Sequence, residues 1–126
     1  MTVTVIPFVV LAGGVGALLR FLVTQAIPTT TARPFPIGVV TVNVLGSLVA
    51  GMTLGLLSGQ IISVDVAIVI WAGLCGGLTT FSTVAVETIM LGRHHVRLAW
   101  LNIAATVVGG CASAAIGFAV TRLLFP

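Results

Sequence analysis

The segment Gly73-Leu-Cys-Gly-Gly-Leu-Thr-Thr-Phe-Ser-Thr83 packs three Gly and four hydroxyl residues into eleven positions of an otherwise apolar run. Such a stretch permits an unwound backbone. Irregular backbone at membrane depth is tolerated only where protein or a water-filled cavity satisfies its polar groups, so this segment is the prime functional candidate. Polar side chains recur in neighbouring runs at one-turn spacing, Asn43 with Ser47 and Asn102 with Thr106. Each pair therefore shares a helix face. Interhelical hydrogen bonding explains Ser47 or Thr106 equally well, whereas Asn43 is the stronger candidate for a transport pathway. The donors within reach are the Asn amides, the hydroxyls of Thr80, Ser82, Thr83 and Thr106, and the positive edge of the Phe81 ring. That set suits an anion better than a cation. Glu87 follows the segment, and a lone carboxylate in a span is a candidate pathway acid by default.

No catalytic constellation accompanies these residues. The two acids, Asp65 and Glu87, stand far apart, and no Ser, Cys or His lies beside a base and an orienting group. Cys75 and Cys111 lack Cys-x-x-Cys or Cys/His spacing and read as small buried hydrophobes. His94 and His95 are adjacent, without an acidic or Cys partner nearby, and read as solvated loop residues rather than metal ligands. The five Arg are scattered, which argues against a nucleic-acid footprint. Transport is the chemistry that remains, with no organic cofactor.

The elements that must position these residues are membrane helices. Hydrophobic residues make up 59% of the 126 positions and charged ones 6%, too few charges to solvate a globular surface. The apolar residues fall into four runs, about 5–27, 37–57, 66–91 and 98–124, each near the ~20 residues needed to cross hydrocarbon. The reading is an all-α, single four-span membrane domain. As one helix the third run would rise about 39 Å, more than the ~30 Å slab, so a break near its middle is predicted. Asp65 just before it is read as that helix's cap. No basic region precedes the first run, so it stays as a span rather than a cleaved signal. Both termini then share one side, and Arg33, Arg93 and Arg97 face the side opposite Arg122. The positive-inside tendency turns those loops toward the cytoplasm of a multi-pass cell (inner) membrane protein, with dual topology left open.

Small residues recur at helix-contact spacing: Gly13 with Ala17, Ser47 with Gly51, Gly55 and Gly59, and Gly109 with Ser113 and Gly117. Backbones approach closely along such faces. Packing within one subunit accounts for most of them, yet four helices alone do not both pack and enclose a pathway. At least a dimer is therefore predicted, with Ser47, Gly51, Gly55 and Gly109 at its contact. Arg20 lies about 22 Å of helical rise beyond Val5, deep enough to need snorkelling or a carbonyl partner. Its predicted role is anchoring or structural pairing.

Three stretches carry a family resemblance: Gly13-Gly14-Val-Gly16-Ala17-Leu-Leu-Arg20, Thr41-Val-Asn43-Val-Leu-Gly46-Ser47, and Gly73-Leu-Cys-Gly76-Gly77-Leu-Thr79-Thr80-Phe81-Ser82-Thr83. Together they resemble the CrcB/Fluc fluoride channels. The resemblance implies a dimer of oppositely oriented subunits, two narrow fluoride pores at their interface, and passive export that protects the cell from fluoride. It implies that Asn43 and Phe81 line the pore, that the carbonyls of Gly76 and Thr79 hold a central structural sodium ion, and that Glu87 is the family's acid after the motif. Two positions depart from the family pattern: Val84 replaces the usual second Phe, and Asn102 replaces a common Tyr. A homodimer would then have incomplete aromatic boxes. A heterodimer with a second four-span homologue retaining both Phe residues would complete one pore and leave the other degraded. Two rivals stand beside these readings, a structural subunit of a heteromeric channel and a small four-span multidrug exporter. The exporter lacks its central residue, since the first run holds no acid.

Overall fold

Residues 3–126 are described by a computed structural model. A 3-10 turn at Val3–Val5 leads into α1 (Ile6–Ala26), with Pro7 in the first helical turn, where its missing N–H leaves no helical bond unmade. Pro28 follows the end of α1, and Pro36 stands as the cap of α2 (Ile37–Ser58). The third span runs Val64–Gly92 in four pieces: α3 (Val64–Ile68), a π-helical stretch Val69–Cys75, α4 (Gly76–Leu78) and, beyond Thr79 and Thr80, α5 (Phe81–Gly92). The fourth is α6 (Val96–Leu124). Among the described residues four helical spans are long and apolar enough to cross a bilayer, each bounded within two residues of the run read from sequence. The protein is thus an all-α multi-pass membrane protein.

α6 lies along α2 in the most extensive contact of the chain, α1 packs on the π-helical stretch and α4, and α5 packs on α6. The two halves of the third span therefore rest on different neighbours. Between 11% and 39% of each span's apolar core is buried within the chain, so most of that surface must meet lipid or another subunit. Phe8, Leu11, Leu18, Trp100 and Leu123 are among the side chains that point outward.

Three sequence readings are corrected. Gly51, Gly55 and Gly109, assigned to a contact between copies, face the neighbouring helix of their own chain. A methyl at Gly51 would collide with the backbone of Ala114, one at Gly55 would reach Thr121 Cβ at 2.7 Å, and one at Gly109 would press Val44 at 3.2 Å. Ser47 belongs to the same seam, where a methyl at Gly110 would meet its Oγ at 3.2 Å. The close approach is real, but it joins α2 to α6 inside one chain. The glycines of the third span likewise serve packing rather than unwinding. Among the described residues no glycine has a positive φ, and methyls at Gly73 and Gly77 would strike the backbone of Val9 and Gly13 on α1. Finally, the cap of the third span is Ser63, whose Oγ accepts from the Val66 N–H at 3.3 Å. Asp65 sits inside the first turn, where a carboxylate still complements the helix dipole.

Candidate functional site

Thr79 and Thr80 interrupt the third span in extended backbone, with ψ of 158° and 126°. Two consecutive extended residues end one helix and start another, so the N–H and C=O groups around them need partners from elsewhere. Asn43 on α2 supplies two. Its Nδ2 donates to the Thr80 carbonyl at 3.1 Å, and its Oδ1 accepts from the Thr80 N–H at 2.8 Å. A carbonyl only accepts and an N–H only donates, so this pair fixes the orientation of the amide. Arg20 on α1 donates from Nη1 to the Thr79 carbonyl at 3.0 Å, so of the two solutions open to it at that depth, snorkelling or a carbonyl partner, it has the carbonyl. Thr80 also caps α5: its Oγ accepts from the Thr83 N–H at 3.3 Å and exchanges hydrogen bonds with the hydroxyls of Thr83 and Ser82 at 3.0 and 3.3 Å. The Thr79 hydroxyl turns back to the Cys75 carbonyl at 2.8 Å.

Small residues let these groups meet. A methyl at Gly46 would overlap the Thr79 side chain, and one at Gly16 would reach the Leu78 amide at 2.8 Å. α1 and α2 therefore press directly on the break from two sides.

The arrangement opens a groove of about 450 Å³ lined by Asn43, Ser47, Gly76, Thr79, Thr80, Phe81 and Thr106. Seven residues singled out in the sequence, from three spans, are gathered there. Phe81 opens α5 and is 84% exposed, an extreme value for an aromatic ring, and Ser82 beside it is also exposed. On the other side of Thr80 lies a cavity of about 480 Å³, where Arg20, Thr24, Thr80, Thr83 and Glu87 share the walls. Thr80 borders both spaces. Glu87 thus stands apart from the groove, one side turned to that cavity and the other to the hollow under His94 and His95.

Asn102 does not join the groove. It is fully buried, and its Nδ2 donates to the Thr88 hydroxyl at 2.9 Å and the Val84 carbonyl at 3.5 Å, tying α6 to α5. Thr88 was not singled out by sequence; a hydroxyl one turn beyond Val84, on the face turned to α6, is the signal that marks it. Val84 is buried at 6% exposure and lines an apolar hollow of about 360 Å³ with Phe81, Ile103 and Thr106. Trp71, in the π-helical stretch, donates from Nε1 to the Ala50 carbonyl at 2.9 Å and braces the first half of the third span on α2.

Among the described residues no group of three or more His, Cys, Asp and Glu side chains converges. A cation at the break would instead use backbone oxygen. The Thr80 N–H that would close a helical bond on Gly76 is turned to Asn43, which leaves the Gly76 carbonyl without its ladder donor. Gly76 and Thr79 both line the groove, and carbonyl oxygens at a broken helix suit a hard cation.

Comparison with known proteins points to one family. Residues 7–118 match the family model described as CrcB-like protein, Camphor Resistance. The chain is 40% identical over 124 residues to "Fluoride-specific ion channel FluC 2" of Mycolicibacterium paratuberculosis, covering 98% of each chain. It is 39% identical over 118 residues to "Fluoride-specific ion channel FluC" of Methanopyrus kandleri, covering 93% of this chain and 88% of the relative. It is also 37% identical over 124 residues to the protein of the same name in Pyrococcus horikoshii, covering 97% and 99%. This four-span chain, with its broken third span clasped by Asn43 and Arg20, belongs to the CrcB-like family.

Proposed function

We propose that this chain forms a fluoride-selective channel in the cell membrane, exporting the ion passively and relieving its toxicity. The observation that carries the reading is the Asn43 clasp on Thr80, which holds the break open as a groove edged by hydroxyls and an outward Phe81 ring. Fluoride is a small, strongly hydrated acceptor that must exchange water for well-placed donors to cross. In the groove Thr80 and Thr106 supply hydroxyls, Asn43 an amide and Phe81 a positive ring edge; Ser82 and Thr83 join through their hydrogen bonds to the Thr80 hydroxyl, while the nearest acid, Glu87, is held off behind Thr80. The names of the curated relatives support fluoride as the ion. A channel of this kind is not an enzyme, and a small multidrug exporter loses its basis in a first span without an acid.

One chain leaves the groove open on the side where Phe81 projects, so the pathway is completed by a second copy or a close homologue, taken here as antiparallel. The carbonyls of Gly76 and Thr79 would hold a structural sodium ion between the two. A heterodimer is the second reading, and Val84 favours it. A buried aliphatic side chain there offers no ring to a groove. The test is fluoride efflux from liposomes containing only this chain. Fluoride efflux well above that of chloride supports the homodimer, and efflux that appears only with a second four-span homologue supports the heterodimer. No fluoride efflux in either preparation overturns the proposal.

A further inference from the structure

The hydrogen bond from Arg20 to the Thr79 carbonyl bears on which cation the break can hold. Arg20 shares a cavity with Glu87, yet among the described residues it forms no ion pair; its guanidinium donates to a neutral carbonyl. A full positive charge is therefore fixed 3.0 Å from the carbonyl oxygen of a residue that also borders the groove. A carbonyl oxygen has two lone pairs, so one bond to a guanidinium leaves a second direction for a ligand.

We infer that Arg20 is a charge filter for the cation site, admitting a monovalent ion at the Gly76 and Thr79 carbonyls and rejecting a divalent ion of the same size. This rests on the sodium reading proposed above. A cation on the far lone pair of Thr79 stands about 5 Å from the guanidinium, and the repulsion between them doubles when the cation's charge doubles; the pull of the neutral carbonyls doubles with it, but the hydration that a divalent ion gives up grows with the square of its charge, so the repulsion falls on an ion whose balance is already the poorer. Nothing on the site side offsets that charge: the ligands are neutral carbonyls, and the groove lining contains no carboxylate. A second copy across a two-fold axis would add carbonyls and a guanidinium together, so the balance keeps its sign in a dimer. Hydrogen bonding alone does not require this residue, because an uncharged amide also donates to a carbonyl. The charge is what Arg adds. Arg20 is thus a positioning residue that works through the Thr79 oxygen.

The experiment is thermal unfolding of the purified, detergent-solubilised chain, or of its heteromer if that is the assembled form. Sodium or calcium chloride is titrated against an organic-cation background, and ionic strength is held constant. Calcium is the informative probe, since it matches sodium in size and differs in charge. The wild-type protein is expected to be stabilised by sodium and not by calcium. Arg20→Gln keeps a donor and removes the charge; its sodium midpoint should fall roughly tenfold or more, and it should gain a response to calcium. Arg20→Lys should keep the wild-type discrimination. Equal stabilisation of the wild-type protein by calcium and sodium overturns the inference without any variant, should Arg20→Gln fail to assemble. A wild-type sodium response that is unaltered in Arg20→Gln overturns it while leaving the sodium site standing. No sodium response in the wild-type protein removes the site itself.

Discussion

Two regions of the molecule are built from the same residue types and do opposite things. Along the seam between α2 and α6, Gly51, Gly55 and Gly117 bring backbones together, and the hydroxyls of Thr53 and Thr121 turn back onto their own helices at 2.8 Å. Ser113 donates across the seam to the Val44 carbonyl at 3.0 Å and to its own Gly110 carbonyl. Every helical ladder there is intact, and small polar residues act as spacers and glue. At the break, glycines again allow close approach, but the ladder is cut at Thr79 and Thr80. Side chains of other helices, Asn43 and Arg20, take the freed backbone groups. What separates the seam from the break is therefore where the backbone hydrogen bonds go, not the abundance of Gly, Ser and Thr.

That contrast predicts that seam variants lose the fold and flux together, whereas break variants lose flux while most of the fold survives. The largest effect is expected for Gly51→Val, which drives a branched side chain into the Ala114 backbone and should cost about 3 kcal/mol or more, read as failure to assemble or a sharply lowered melting temperature. Asn43→Asp removes the donor to the Thr80 carbonyl and sets a charge at the groove; about 1–3 kcal/mol of stability should go, measured by thermal unfolding in detergent. Asn102→Leu deletes the tie from α6 to Thr88 and Val84, at about 1 kcal/mol in the same assay, and should leave the sodium response proposed for the break in place. Ser63→Ala should be smallest, about 0.5–1 kcal/mol, visible as faster amide exchange in the first turn of α3.

Much of this was legible in the sequence because lipid enforces simple rules. The slab sets the length of each apolar run, so the spans could be bounded, and a run of hydroxyls in an overlong span marked the break. The depth of Arg20 called for snorkelling or a carbonyl partner, but that it takes a carbonyl and that the carbonyl belongs to Thr79, 59 residues on, is a tertiary fact. The Gly51 and Gly55 spacing reads the same whether the facing helix belongs to one chain or two, and that ambiguity misdirected their assignment. Asn102 shows the same limit, since an intramembrane amide looks alike as a pathway donor or as a clamp on Thr88. The π-helical stretch Val69–Cys75 carries no sequence mark at all, because its residues are ordinary helix formers in lipid.

The central claim is that fluoride crosses at the groove held open by Asn43. Its most direct test is fluoride efflux from liposomes carrying equal amounts of assembled wild-type and Asn43→Asp protein, each with the partner subunit if one proves necessary. We predict a fall of roughly tenfold or more in Asn43→Asp, because the carboxylate repels the anion and cannot donate to Thr80. Unchanged efflux at equal assembly would contradict the account and move the pathway away from the break.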